Sequence, residues 1–254
     1  MNNIVWITGA SSGLGAALAR RMAAAGRRVA ISARRADALR ALADGLAPGA
    51  LHPVPLDTGD AAAACAAVAA IEREIGPIGQ AVLNAGTHRP VDPAQLDPDD
   101  FRALVETNLM GTVTCLAAVL PPMLARRRGR IAIVASVAGY RGLPTAAAYG
   151  MTKAGLINLA EALRVELAPA GIVVQVVNPG FVRTPLTDRN AFAMPFLMEP
   201  EDAAEAFFRG LQSDRFEIAF PRHLVLAMKL LRCLPTPLAF AVTRRLIPRE
   251  RRER

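Results

Sequence analysis

The sequence predicts an α/β fold, a doubly wound parallel sheet of about seven strands with helices on both faces. Two observations carry this. Short apolar runs alternate with helix-forming stretches from residue 3 to about residue 220, and the first run passes directly into a glycine-rich turn followed by an alanine-rich helical segment. Such alternation belongs to parallel sheets, because each strand must return to the same end through a crossover that covers one face. A chain of 254 residues suffices for one such domain with a sizeable core.

Taken in order, Asn3-Ile-Val-Trp-Ile-Thr8 reads as a short buried strand, with Gly9-Ala-Ser-Ser-Gly13-Leu-Gly15 and a helix over 16–25 behind it. Further strand-like runs lie at 29–32, 51–56, 81–83, 131–135, 173–177 and 216–219. Asp60 opens a polyalanine helix that Gly76-Pro77 ends, and 101–123 reads as one long helix stopped by Arg126-Arg-Arg-Gly129. Between 146 and 168, Leu156, Leu159, Leu163 and Leu167 recur at helical spacing until Pro169. No internal repeat or flexible linker interrupts the series.

The glycine turn carries the first chemistry. Backbone N–H groups at the start of a helix, reached through a glycine-rich turn, form a cradle for a pyrophosphate. Gly9 permits the tight turn, Gly13 lets phosphate approach, and Gly15 lets helix and strand pack closely. About 20 residues on, the second strand ends in Arg34-Arg35. An acid there would bind a ribose 2′-hydroxyl, whereas a guanidinium suits a 2′-phosphate, so NADP(H) is expected in preference to NAD(H). The competing reading is compositional, since 28 of the 30 basic residues are arginine.

Ser136 and Tyr149-Gly-Met-Thr-Lys153 carry the second. A spacing of four puts phenol and ammonium on one helix face. At an effective dielectric of about 20, a cation roughly 4 Å away favours a phenolate by about 4 kcal/mol, which corresponds to about three pKa units. A tyrosine so tuned exchanges a proton in carbonyl chemistry, with the Ser136 hydroxyl holding the substrate oxygen.

Thr8-Gly-Ala-Ser-Ser-Gly-Leu-Gly15, Asn84-Ala-Gly86, Asn108, Ser136, Tyr149-x-x-x-Lys153 and Asn178-Pro-Gly180, in this order, resemble the short-chain dehydrogenase/reductase family over roughly residues 3–220. The resemblance implies a Rossmann-like catalytic domain over 1–220, with a C-terminal extension over 221–254. It implies a cofactor set of Gly9, Ser11, Ser12, Gly13, Leu14, Gly15, Arg34, Arg35, Asp57, Asn84, Ala85, Gly86, Tyr149, Lys153, Pro179, Gly180, Val182 and Thr184. Within it Asp57 would contact adenine, Lys153 the nicotinamide ribose and Thr184 the carboxamide. The catalytic set implied is Asn108, Ser136, Tyr149 and Lys153, with Asn108 holding the water that links the lysine to solvent. No metal is implied.

The segment 186–198 occupies the position of the family's substrate lid and brings Phe192, Met194, Phe196, Leu197 and Met198, an adaptable apolar set suited to a hydrophobic ketone or secondary alcohol. A helix that merely packs on the core fits those residues equally. For His88 and Arg89, after Asn84-Ala-Gly86, a solvated loop is the favoured reading and lining the mouth of the site the other. An NAD-linked dehydrogenase of a small polar alcohol, and a nucleotide-binding scaffold without turnover, are the alternative functions.

Residues 221–254 carry eight arginines and one lysine against two glutamates, +7 of the chain's +8. Apolar stretches flanked by arginines suit a helix at an anionic lipid surface, where each basic group adds about 1 kcal/mol. Covering the substrate pocket, packing on a second subunit in a homo-oligomer, or remaining a soluble end fit the same composition. Nucleic acid is disfavoured, because stacking aromatics are missing among the arginines. No run reaches about 18 uninterrupted apolar residues, the length of a spanning helix, and no signal peptide is visible. Cys65, Cys115 and Cys233 lack metal or redox spacing and read as core residues in a reducing compartment. The expected location is cytoplasmic, at the inner face of the membrane if the extension binds lipid.

Overall fold

The computed structural model describes residues 3–189 and 194–247. Seven strands form one parallel sheet: β1 (Ile4–Thr8), β2 (Val29–Ser32), β3 (Leu51–Pro53), β4 (Ile78–Leu83), β5 (Gly129–Val134), β6 (Ile172–Pro179) and β7 (Glu217–Phe220). Their order is β3-β2-β1-β4-β5-β6-β7. The chain leaves β1 to build one half through β2 and β3, then returns to β4 for the other. The strand order therefore reverses between β1 and β4, where a crevice opens at the carboxyl ends.

Alternation along β1 explains the two layers. Ile4 and Trp6 face one way and join α3 (Ala61–Glu74), α5 (Gly111–Ala125) and α6 (Ala147–Leu167) in one core. Val5 and Ile7 face the other way, into a second core with α1 (Gly13–Ala24), α2 (Ala36–Asp44) and α7 (Pro200–Leu211). Every strand residue of β1 is buried, as a sheet covered on both faces requires. This is the doubly wound Rossmann-like architecture that the alternation predicts.

Several boundaries differ from the sequence reading. β3 stops at Pro53 rather than residue 56, because Pro53 and Pro55 have no N–H to donate. The intervening N–H groups of Val54 and Leu56 still bond the carbonyls of Ile31 and Ala33 at 2.9 and 3.0 Å. α2 and α7 add helices that the reading did not place. The long helix begins earlier, at α4 (Pro98–Leu104), and contains one π-helical turn, Val105–Met110, before α5. That turn inserts an extra residue into the helical repeat and carries Asn108 to a fully buried position. The whole of Pro98–Ala125 is long and apolar enough to cross a membrane, yet Cys115, Val119 and Met123 seal it onto the sheet. Cys65 and Cys233 are exposed, against expectation, and only Cys115 is in the core. Cys65 lies off the buried stripe Ala64, Ala67, Val68 and Ile71 of α3.

Residues past β7 form two further helices, α8 (Arg222–Cys233) and α9 (Thr236–Arg244), separated at Pro235. Leu224, Val225, Met228 and Leu231 of α8 enter the first core. A polar knot fastens α8 to the sheet. Glu217 accepts from the Tyr140 hydroxyl, from Asn178 Nδ2 at 2.8 Å and from the Lys229 ammonium. Burial pushes the Glu217 carboxyl up, but hydrogen bonds from Lys229, Tyr140 and Asn178 outweigh it and hold the group below the usual range. Burial, together with the hydrogen bond to this carboxylate, drives the Tyr140 phenol far up.

Removing Glu217 strands the buried donors of Tyr140 and Asn178, while half-exposed Lys229 turns to water, so Glu217→Ala should cost about 2–4 kcal/mol of unfolding free energy in urea titrations. A carboxylate whose folded pKa is depressed contributes stability above its unfolded pKa and loses it as pH falls through the folded one. The gap between wild type and Glu217→Gln should therefore narrow below the ordinary value of 4.5, and a gap unchanged at low pH would contradict the knot.

Candidate active site

The crevice is held open by a clasp between the ends of β1 and β4. Thr8 Oγ1 accepts the N–H groups of Asn84 and Ala85 at 3.0 and 3.1 Å, and Asn84 Nδ2 donates to the carbonyls of Thr8 and Gly9 at 3.1 and 3.2 Å. Thr8 has no place among the predicted site residues, although a polar residue closing an apolar strand just before a glycine turn was the available signal. The clasp leaves no room for side chains nearby. Gly9 has φ +66°, and a Cβ on Gly15 would lie 2.5 Å from the Gly9 carbonyl and 2.6 Å from Asn84 Nδ2.

Around this clasp runs a cleft of about 690 Å³. All eighteen residues of the expected cofactor set line it, as does Ser136. Ala33, Leu56, Thr58, Thr87, Glu106, Thr107 and Leu186 line it too, beyond the sequence reading. At one end, Arg35 Nη2 donates to Ser11 Oγ at 3.1 Å and to the Ser11 carbonyl at 3.3 Å, with Arg34 exposed beside it. Asp57 Oδ1 accepts from Gly59 N–H at 3.0 Å on the same wall.

The start of α1 fits a bound anion. Its N-cap Ser12 makes no side-chain capping bond, and no acidic residue sits in the first turn. By contrast Asp60 and Asp97 cap α3 and α4 with their carboxylates. The first N–H groups of α1 thus face the cleft without a side-chain acceptor, at the positive end of the helix dipole. With the arginines beyond, these residues suit a dinucleotide that carries a pyrophosphate and a further phosphate.

At the other end, Ser136 follows β5 and Tyr149 and Lys153 project from the first turns of α6. The Ser136 hydroxyl lines the cleft with Tyr149, donates to the Pro179 carbonyl at 3.3 Å and accepts from Ala138 N–H at 3.1 Å. Lys153 Nζ donates to the Val134 carbonyl at 2.9 Å and sits 5.6 Å from the centre of the Tyr149 ring. The expected depression of the tyrosine pKa is not found. Burial raises the phenol, with the nearby Ser136 hydroxyl offsetting part of this, and burial also holds the Lys153 ammonium down, to about 8. The spacing argument counted charge and left out desolvation, which here is the larger effect.

Asn108 does not line the cleft but braces it. Its amide donates to the Thr87 carbonyl and to Thr152 Oγ1, both at 3.0 Å, and accepts from Thr87 N–H at 2.7 Å. Its own carbonyl accepts Thr112 Oγ1 at 2.8 Å, so a water held here would use the second lone pair of that carbonyl. Thr152 in turn donates to the Tyr149 carbonyl at 2.8 Å. His88 is a correction: it is buried and packs edge-on against the Tyr149 ring, centroids 4.7 Å apart. Arg89 stays exposed and pairs with Asp100 at 2.5 Å.

Of the lid set, Phe192 lies outside the described residues. Met198 returns to the body of the protein, its N–H bonded to Phe181 and its carbonyl accepting from Arg183 at 3.0 and 2.9 Å. Phe196 is 54% exposed and its ring stacks on His223 of α8.

Residues 3–193 match the family model described as short chain dehydrogenase. An uncharacterized oxidoreductase of Myxococcus xanthus is 41% identical over 242 residues, 94% of this chain and 96% of that protein. The 2-dehydro-3-deoxy-L-rhamnonate dehydrogenase (NAD(+)) of a Sphingomonas species is 36% identical over 184 residues, 72% of this chain and 73% of that one. Among solved structures, a short-chain dehydrogenase from Sphingobium yanoikuyae in complex with NADPH superposes with TM-score 0.78 at 31% identity, covering 90% of this chain and 92% of that one.

A lysine whose folded pKa lies near 8 against an ordinary 10.5 costs stability while it is charged, a cost present below 8 and relieved as pH rises toward 10.5. Lys153→Met should therefore raise unfolding free energy at pH 7 by about 1–3 kcal/mol. The gain should fade in denaturant titrations above pH 8, and a variant destabilised at pH 7 contradicts the burial argument. Gly15→Ala meets backbone on one side and the clasp on the other, so it should cost about 1–3 kcal/mol and weaken nucleotide binding, read by calorimetry.

Proposed function

The chain belongs to the short-chain dehydrogenase family and is an NAD(P)-dependent oxidoreductase; from that premise we propose that it exchanges hydride with a hydrophobic ketone or secondary alcohol, preferring NADP(H), with Tyr149 as proton carrier. The observation that carries this reading is Ser136, Tyr149 and the buried Lys153 lining one cleft with the uncapped start of α1. When bound, the cofactor supplies or accepts hydride at nicotinamide C4.

The residues of the chain do the rest. In carbonyl reduction Ser136 turns its hydroxyl from the long Pro179 bond to the substrate oxygen and polarises it. Tyr149, held protonated by burial, gives its proton to that oxygen as charge develops there. The Lys153 ammonium, fixed on Val134, stabilises the phenolate left behind and holds the ribose. Asn108 keeps Thr87 and Thr152 in place, and with them the main chain of Tyr149. In alcohol oxidation the proton travels the other way, which requires a phenolate and favours higher pH.

Arg34 and Arg35, with no acid at the end of β2, support NADP(H). The Sphingomonas relative is by name an NAD(+) enzyme, so both cofactors belong in any assay. The exposed ring of Phe196 in the lid segment supports an alkyl or polycyclic substrate, whereas Phe181 and Met198 pack against the two cores.

Tyr149→Phe should cut kcat by about 10²–10⁴-fold on long-chain ketone and steroid panels while NADPH binding holds. Turnover that survives the change would remove Tyr149 from proton transfer. Arg34→Ala combined with Arg35→Ala should shrink the ratio of NADPH to NADH affinity by about 10–100-fold, the worth of one or two charge-assisted bonds. An unchanged ratio would leave the arginines as ordinary surface charge.

A further inference from the structure

Six of the thirteen large apolar side chains exposed among the described residues fall between positions 226 and 246. α8 turns Leu224, Val225, Met228 and Leu231 inward, yet also leaves Leu226 and Leu230, one turn apart, each 60% exposed. α9 buries only Ala239 and Thr243, and turns Leu238, Phe240 and Val242 outward, with Leu246 just beyond its end. A surface helix ordinarily turns its larger apolar residues inward, and α9 does the reverse. Arg222, Arg232 and Arg244 flank these residues and form no ion pair among the described residues.

We infer that α8 and α9 form a docking surface for an anionic lipid bilayer, with the outward side chains of α9 set among the acyl chains and the arginines at the headgroups. Charge selects this occupant. A two-fold contact through the same face would set Arg222, Lys229, Arg232, Arg244 and Arg245, with no acid among residues 221–247, against their copies, with like charges meeting, whereas an anionic surface neutralises them. A phosphate backbone would satisfy the arginines but would leave Leu238, Phe240 and Val242 in water.

α8 also reaches the catalytic end. The ring of His223 stacks on Phe196 at 5.9 Å and 30°, and Leu224 packs so close to Gly180 that a Cβ there would lie 2.6 Å from Leu224 Cδ2. A docked molecule holds residues 194–198 next to the bilayer, where an apolar ketone or alcohol is dissolved. This route for substrate rests on the catalytic reading above, while docking itself does not.

The test floats the full chain on a density gradient with vesicles of phosphatidylcholine, alone or mixed with phosphatidylglycerol. Anionic vesicles should carry about tenfold more protein or better, and the excess should shrink as salt is raised. Leu238→Glu combined with Phe240→Glu, both exposed, should lose that excess at least tenfold while retaining the wild-type unfolding midpoint. Equal flotation with both vesicles, or a variant that floats like wild type, overturns the proposal. So does a dimer, seen by light scattering, that the variant dissolves and anionic vesicles leave intact, because the face would then belong to a second copy. Vesicle binding without turnover on any carbonyl panel would sustain docking and count against the catalytic reading alone.

Discussion

Two parallel strands that part at their carboxyl ends make a usable crevice only if the loops behind them are kept from collapsing or splaying. Here that constraint is the clasp of Thr8 with Asn84 and Ala85. One hydroxyl takes two N–H groups and one side-chain amide returns to two carbonyls. The glycines are a consequence of the same closeness, since any Cβ on Gly15 would collide with the clasp itself. The start of α1, its N–H groups unclaimed by a side chain, is set facing the crevice because Gly9 turns the chain just after Thr8.

The end of the cleft that holds Tyr149 is braced from a different direction. Asn108 reaches it only because a π turn interrupts the long helix, and it ties the loop after β4 to Thr152 and so to Tyr149. Tyr140, four residues past Ser136, and Asn178, just before Pro179, both end on Glu217, where Lys229 of α8 also binds. The last helices therefore share a fastening with the loops that flank Ser136. Lys153 shows the opposing tendency: its burial is a stability cost, of the kind proteins carry at functional sites.

Much of this was legible in the sequence because strand runs, glycine turn and Tyr-x-x-x-Lys spacing are local patterns with local causes. The sheet, its two covered faces, the glycine turn and the Tyr149–Lys153 pair follow from them, while Asp57, Asn84 and Thr184 are reached only through the family resemblance. What was hidden depends on three-dimensional packing. The π turn leaves the apolar content of 101–123 unchanged, so nothing announces that Asn108 will point inward. α2 sets only Leu39 and Leu42 in the core, too few to show a period. α7 has a signal, Ala203, Phe207 and Leu211 at spacing four, weakened by its alanine. In polyalanine α3 every position looks alike, which is how exposed Cys65 passed for a core residue. An i,i+4 spacing shows the lysine beside Tyr149 but not the burial of either group, and nothing local places His88 inside, because its aromatic partner lies 61 positions away.

The central claim is that the crevice between β1 and β4 binds a reduced nicotinamide dinucleotide beside Tyr149. Trp6, the one tryptophan of the chain, sits buried on β1 two residues before the clasp, its indole N–H bonded to Ser32 Oγ at 3.0 Å, and its emission overlaps the absorption of a reduced nicotinamide. Titration of the full chain with NADPH, followed through Trp6 emission, should show saturable quenching with matching sensitised nicotinamide emission, reversed by excess NADP⁺. Emission that stays unquenched, or that falls without saturating and without energy transfer, would contradict the account.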